Sequence, residues 1–151
     1  MIREADLKED RQGYKFKDPN ISLEQIRYAI EEKADEYGLP IGFTMDQIKG
    51  GGMLNKTVQD CLVIYHKHHP TDYFRNVITL RKQGNVTFVA FHYYGYSKNT
   101  GKEGKTEERS KSLSGQLLNI AVGKNHKAAY AEEYDYYQLL GDVLREAMEG
   151  E

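Results

Sequence analysis

The chain has 151 residues and a formal net charge of −2, which argues against a protein that attracts nucleic acid through its overall charge. Its length favours one domain with its own core, and the single cysteine, Cys61, excludes an internal disulfide. No leader pattern and no apolar run near about 18 residues stand out, so we expect a cytoplasmic protein without membrane contact. Twelve tyrosines and no tryptophan suggest a partly polar core or contact surfaces, because a buried hydroxyl needs a partner.

The first 20 residues mix charges with few apolar side chains and show no sustained period. We interpret residues 1–20 as an N-terminal arm and residues 21–151 as one domain. Ser22 is predicted to begin a helix, because its hydroxyl caps the backbone while the side chain of Gln25 reaches back to complete a capping box. Gly38 is predicted to end that helix.

Four strands are predicted after this helix, and they form the centre of the domain. The first runs from Ile41 to Ile48. The other three lie between Val58 and Tyr96, where β-branched and aromatic residues are bounded by turn formers. The short links predict an antiparallel meander, in which each strand pairs with its neighbour along the chain.

The turns between these strands predict their registers. A hairpin turn at residues 83–84 places His92 opposite Arg75. The looser turn before it places Leu62 beside Ile78. A slip of one residue in either pair would exchange the two faces of a strand.

Because side chains alternate along a strand, the three strands present two different faces. The first face is expected to be the core under the helices, and it collects Leu62, Ile64, His66, Phe74, Ile78, Leu80, Val89, Phe91 and Tyr93. The second face is amphipathic, and it collects Cys61, Val63, Tyr65, Arg75, Val77, Phe88, Ala90, His92 and Tyr94. Another helix, an oligomer interface or a ligand cleft would each suit this second face.

The C-terminal third begins with residues 97–108, which are rich in Lys, Gly and Glu and predict a flexible loop. A short helix from Arg109 to Gly123 and a longer helix from about Asn125 are predicted to follow. The apolar band of the longer helix is wide enough to contact two surfaces. The predicted class is α+β: a four-stranded antiparallel meander, with an N-terminal helix and two C-terminal helices packed mainly on one face.

The second face carries the candidate ligand-binding residues, which are Tyr65, Arg75, Phe88, His92 and Tyr94. In the predicted register Tyr65, Arg75 and His92 form a continuous row. An arginine fork suits a carboxylate or phosphate, and histidine exchanges a proton near neutral pH. The row therefore predicts a site for an anionic or planar ligand, with an ordinary polar ladder at the surface as the alternative.

Neither a metal site nor a cofactor motif is predicted. The histidines within residues 66–69 and His92 do not converge, because His66 and His92 fall on opposite faces of the sheet. Residues 101–106 resemble the end of a phosphate-binding loop, but Asn99 stands where that motif has glycine.

The last helix carries the candidate interface residues Tyr130, Tyr134 and Tyr137. A tyrosine stripe at helical spacing usually belongs to a core, but tyrosine is also enriched at protein interfaces. The acidic residues between these tyrosines disfavour contact with nucleic acid.

Three functional hypotheses follow from these features. The first is a small binding or interaction module without catalytic groups, whose partner is another protein or a second copy of the chain. The second is a small enzyme or ligand-binding protein for an anionic small molecule, with Arg75 as anchor and His92 as acid and base. The third is a nucleic-acid accessory protein that uses the Lys-rich loop.

Overall fold

The computed structural model describes residues 1–99 and 124–150, apart from the side chains at 9–12 and 124–126. These residues form one mixed α+β fold. Its strands are β1 (Ile2–Arg3), β2 (Lys8–Phe16), β3 (Ile41–Gly50), β4 (Thr57–His66), β5 (Arg75–Gln83) and β6 (Val86–Tyr94). Its helices are α1 (Leu23–Tyr37) and α2 (Lys124–Glu149), and a short 3-10 turn covers Glu4–Asp6. The α+β class is confirmed.

The termini of α1 are those that the sequence predicts. The hydroxyl of Ser22 accepts a hydrogen bond from the backbone N–H of Gln25, and the side chain of Gln25 accepts one from the N–H of Ser22. Gly38 ends the helix with a φ of 64°, a conformation that glycine adopts without strain.

The sheet has six strands rather than the predicted four, in the order β1-β3-β4-β5-β6-β2. The meander from β3 to β6 is antiparallel throughout, as predicted. The two additional strands lie at the edges: β1 pairs with β3 in parallel, and β2 pairs with β6 in antiparallel fashion.

The interpretation of residues 1–20 as an arm therefore needs correction, because β1 and β2 belong to the sheet. The pairing of β2 with β6 shifts register between Lys8 and Arg11 and again between Gln12 and Tyr14. Such irregularities break the alternation by which a strand is recognised in a sequence.

The predicted register between β4 and β5 is correct, since Leu62 lies opposite Ile78. The predicted register between β5 and β6 is wrong by two residues. The turn is formed by Gly84 and the residue after it, so His92 lies opposite Val77 and Arg75 opposite Tyr94. Because the shift is two residues, each side chain keeps its predicted face.

The first face and the two helices form the helix-side core. Its fully buried side chains come from the middle of the sheet and from both helices, and include Ile30, Leu62, Ile64, Ile78, Val89, Leu140 and Val143. The wide apolar band of α2 is explained by contacts with both α1 and the sheet, and the hydroxyl of Tyr37 on α1 hydrogen-bonds to Glu146 on α2. The predicted helix at residues 109–123 lies outside the described residues.

The second face carries a smaller apolar cluster, which we call the second-face cluster. It consists of Ile2, Ile48, Cys61, Val63 and Val77, with Leu7 and Tyr94 packed against them. The N-terminal segment, rather than another helix, thus supplies the cover over the middle of this face.

The connection between β1 and β2 shows that the sheet is curved. The two strands lie at opposite edges, and a flat six-stranded sheet would separate them by about 24 Å. The chain between Arg3 and Lys8 spans at most about 17 Å, and its 3-10 turn shortens it further. The sheet therefore curls toward its second face, and residues 4–7 cross the concave side.

This arrangement predicts that Ile2→Ala is destabilising, although a residue in an unattached arm would tolerate the change. Ile2 is only 3% exposed within the second-face cluster, so its truncation should lower the free energy of unfolding by about 2 kcal/mol or more. Urea unfolding provides the measurement, and Leu54→Ala, at a side chain that is 98% exposed, is the matched control. A change within about 0.5 kcal/mol for Ile2→Ala would contradict the role given to this segment.

Candidate functional site

The candidate ligand-binding residues all lie on the second face, where they divide between two cavities. Tyr65, Arg75 and Tyr94 line a cavity of about 260 Å³, which we call the Arg75 cavity. Phe88 and His92 line a separate cavity of about 560 Å³, which we call the Phe88 cavity. The predicted continuous row through His92 is therefore wrong, and the row beside Arg75 ends at Tyr94 instead.

The guanidinium group of Arg75 lies against two residues, Tyr94 at the end of β6 and Gly95 directly after it. Its Cζ lies 4.5 Å from the ring centroid of Tyr94, which is a cation–π contact. It also lies against the backbone of Gly95, where a Cβ would approach an Arg75 nitrogen to 2.8 Å. Gly95 has a φ of 90°, so a glycine is favoured here for its conformation as well as for the space it leaves.

The Nε atom of Arg75 is buried and has no hydrogen-bond partner among the described residues. A buried donor on a charged group is costly unless an acceptor satisfies it. The arrangement thus presents an oriented positive group that lacks an acceptor at the wall of a cavity.

Tyr65 is positioned by a glycine on the neighbouring strand. It lies opposite Gly42 on β3, and a Cβ at that position would fall 2.4 Å from the Cζ of the tyrosine ring. The ring therefore lies over the backbone of Gly42, and Tyr65 lines the Arg75 cavity. Sequence reasoning identified Tyr65 but missed the two glycines that place Tyr65 and Arg75.

The charge balance of the Arg75 cavity includes one carboxylate. Asp46 lies in the wall, and the ammonium group of Met1 lies 3.4 Å from its Oδ1. Thr44, Pro70 and Thr71 also line the cavity and contribute both polar and apolar atoms to its wall. Arg75 lies in the same wall, and its Nε has no hydrogen-bond partner among the described residues.

The Phe88 cavity lies at the other end of the concave face, beneath the N-terminal crossing. Glu4 and Leu7 line it from that crossing, and the guanidinium of Arg81 lies 5.3 Å from the Phe88 ring centroid. The Nε2 atom of His92 lies 3.4 Å from the hydroxyl oxygen of Thr79. Because His92 belongs to this cavity, it does not share a ligand-sized space with Arg75 on the second face.

A buried polar cluster beneath α2 was not foreseen from the sequence. Glu133 is fully buried, and its carboxylate accepts hydrogen bonds from the hydroxyl of Tyr137 and from Nδ2 of Asn99 at 3.0 Å. The same tyrosine oxygen accepts a bond from the backbone N–H of Phe74 at 2.9 Å. The predicted flexible loop begins at Ser97, which is buried, and Asn99 hydrogen-bonds to Glu133. The first residues of that loop are therefore attached to the fold. Residues 100–108 of that loop lie outside the described residues.

The histidines near the end of β4 belong to an aromatic cluster. His66 is 9% exposed, and its ring lies 4.9 Å from His69, 5.2 Å from Tyr73 and 4.7 Å from Tyr136, measured between centroids. The Nδ1 atom of His66 accepts a hydrogen bond from the backbone N–H of His68. Burial, followed by the charges of His69 and His68, lowers the pKa of His66 to about 4.

The three candidate interface tyrosines have different environments. Tyr134 is 55% exposed and Tyr130 is half-buried, whereas Tyr137 packs into the helix-side core and uses its hydroxyl internally. Of the three, Tyr134 is the one that presents most of its side chain to solvent.

Several other sequence features can now be located. In the part of the chain that the structure describes, no three His, Cys, Asp or Glu side chains converge as metal ligands. Neither α1 nor α2 is long and apolar enough to cross a membrane. Cys61 is buried in the second-face cluster, and burial raises the pKa of its thiol to about 11. The Lys-rich loop, apart from Lys98, lies outside the described residues.

Comparison of this chain with protein-family models, with curated proteins and with solved structures found no match.

The pKa of His66 predicts that the fold loses stability in mild acid. Between about pH 6.5 and pH 4 the unfolded chain binds a proton at this residue and the folded chain does not, so the free energy of unfolding falls as the pH falls through that window. The full loss is roughly 3 kcal/mol. Urea unfolding at several pH values should show a shallower acid loss for His66→Phe than for the native chain.

His68→Gln is the control for this experiment, because His68 is exposed and its backbone bond to His66 remains. That variant removes only the last of the three causes that lower the pKa of His66 and leaves its burial intact, so it should keep most of the acid loss. Equal slopes for the native chain and for His66→Phe would show that His66 is not the responsible group.

The polar cluster predicts that Tyr137→Phe is destabilising and Tyr134→Phe is not. Removal of the Tyr137 hydroxyl leaves the N–H of Phe74 without its acceptor and the Oε2 atom of Glu133 without its donor, at a cost of about 1–3 kcal/mol. The exposed Tyr134 should change the midpoint of thermal unfolding by little. Similar midpoints for the two variants would instead indicate that Tyr137 is available at the surface.

Proposed function

We propose that this protein is a small binding module that holds the carboxylate or phosphate group of a ligand in the Arg75 cavity. The observation that carries the proposal is the buried Nε of Arg75, which has no acceptor among the described residues and belongs to a side chain that lines a cavity. A bound anion would supply the missing acceptor and satisfy the donor.

The surroundings of Arg75 are suited to this task. Its guanidinium group is fixed by stacking on Tyr94 and by the backbone of Gly95, so little side-chain freedom is lost when a ligand binds. Arginine in a fixed orientation presents two parallel donors, which match the geometry of a carboxylate or phosphate.

The rest of the ligand is expected to be small and partly aromatic or apolar. The cavity of about 260 Å³ admits a compact group, and the rings of Tyr65 and Tyr94 offer stacking surfaces. Asp46 in the same wall disfavours a second negative charge on the ligand, although the Met1 ammonium group lies beside it.

The geometry gives no support to the catalytic alternative, in which Arg75 anchors a substrate for His92. These two side chains line different cavities on the second face. Association of the chain with itself or with a protein partner through Tyr134 and its neighbours on α2 stays a prediction.

The proposal predicts that Arg75→Met abolishes anion binding without unfolding the protein. Methionine keeps an apolar stem over Tyr94 and removes the unsatisfied donor, so the free energy of unfolding should not fall by more than about 1 kcal/mol. Titration with sodium benzoate and with inorganic phosphate, followed by amide chemical shifts, should give saturable changes at Tyr94 and Gly95 in the native chain. Binding should weaken at least about tenfold in the variant, or roughly 1.4 kcal/mol.

Arg81→Met is the matched control, because Arg81 also stacks on an aromatic ring but lines the Phe88 cavity. It should bind both anions as the native chain does. Absence of saturable shifts with either anion, or equal binding by Arg75→Met, would remove the proposed function.

A further inference from the structure

We propose a second binding site on the opposite face of the sheet, for a neutral planar molecule that carries one N–H or O–H donor. The site is a cavity of about 330 Å³ between α2 and strands β2, β5 and β6, and we call it the Asn76 cavity. It is independent of the Arg75 cavity, because neighbouring residues of β5 point to opposite faces.

The walls of the Asn76 cavity are largely aromatic and aliphatic. They include Tyr14, Phe91, Tyr137, Leu140 and Leu144. The rings of Tyr14 and Phe91 meet edge to face, with centroids 6.1 Å apart and an interplanar angle of 88°. A volume of about 330 Å³ lies within the range of small-molecule sites and fits a bicyclic ring system.

Gly141 leaves the helix side of this cavity open. It lies within α2, where glycine is a poor helix former, and a Cβ built on it would meet no atom within 4 Å. Glycine at position 141 therefore makes α2 less stable than alanine would, and it leaves space at the cavity wall.

Asn76 supplies the polar group that points to a ligand. Its side chain is 7% exposed, and its Oδ1 is buried without a hydrogen-bond partner among the described residues. It pairs across the sheet with Ile64 and Tyr93, at a position on the first face where the pattern calls for an apolar residue. A leucine would avoid the unsatisfied acceptor, so the presence of asparagine here points to a use for that acceptor.

The neighbouring hydroxyl group cannot satisfy Asn76. The hydroxyl of Tyr137 donates to Glu133 and accepts from the N–H of Phe74, so its donor is committed. A donor for Oδ1 would therefore come from a molecule in the cavity.

The charge at the mouth of the cavity favours a neutral occupant. Arg145 lines the mouth, but its guanidinium nitrogens lie 3.7 Å from Asp142 and 3.5 Å from Glu149. Its charge is thus matched by two carboxylates, and an anionic ligand would compete with both. Aromatic walls and one buried acceptor favour a flat ring with a single donor.

Indole and benzothiophene test this inference, because they have nearly the same shape and only indole carries an N–H donor. In the full chain, amide chemical shifts of Asn76, Leu140 and Gly141 should report saturable binding of indole. Benzothiophene should bind at least tenfold more weakly. Equal affinity for the two probes would overturn the role of Asn76, and no saturable shift with either probe would show that the cavity holds water only.

Two variants separate a binding role from a structural one. Asn76→Leu should raise the midpoint of thermal unfolding and remove the preference for indole over benzothiophene, whereas Asn55→Leu, at an exposed asparagine, should change neither property. Gly141→Phe should fill the cavity and exclude both probes. A lower unfolding midpoint for Asn76→Leu, or an unchanged preference for indole, would overturn the site, and neither result depends on anion binding at Arg75.

Discussion

Contact between the N-terminal segment and the second-face cluster holds the sheet in its curved form. Ile2 and Leu7 pack with Val63 and Val77, so bending the sheet is accompanied by burial of apolar surface from both. The same contact divides the concave side, because Ile2 lines the Arg75 cavity and Leu7 lines the Phe88 cavity. This apolar contact therefore stabilises the curvature of the sheet and contributes to the walls of both cavities.

The parts of the fold that follow from local physics could be predicted from the sequence. The capping box at Ser22 and the apolar stripe behind it are contained within one helix, and strands β3–β6 are consecutive with short links. The division of side chains into two faces depends only on a period of two residues. The predicted faces are therefore correct although the predicted β5–β6 register is wrong. Arg75 lies opposite Tyr94 rather than opposite His92, and both of these residues belong to the second face.

The parts that depend on distant contacts could not be predicted. Strand β2 pairs with β6, whose residues are more than 70 positions away, and the register shifts near Gly13 break its alternation. To predict that Arg75 and His92 line different cavities, one would need the position of the β5–β6 turn, the course of residues 4–7 and the curvature of the sheet. By contrast, the sequence carries a signal at Asn76, because alternation between Phe74 and Ile78 places this polar residue on the first face.

The buried polar groups show why the two proposed sites stand apart from the rest of the interior. Glu133 is fully buried yet satisfied, because Tyr137 and Asn99 donate to its carboxylate, and so it is explained by the fold alone. The hydroxyl of Tyr136 is unsatisfied but lies within an aromatic cluster and lines none of the three cavities. Arg75 and Asn76 differ from both: each contains a buried polar atom without a partner among the described residues, and each lines a cavity. Folding leaves these two interactions incomplete, and a ligand is the means by which each would be completed.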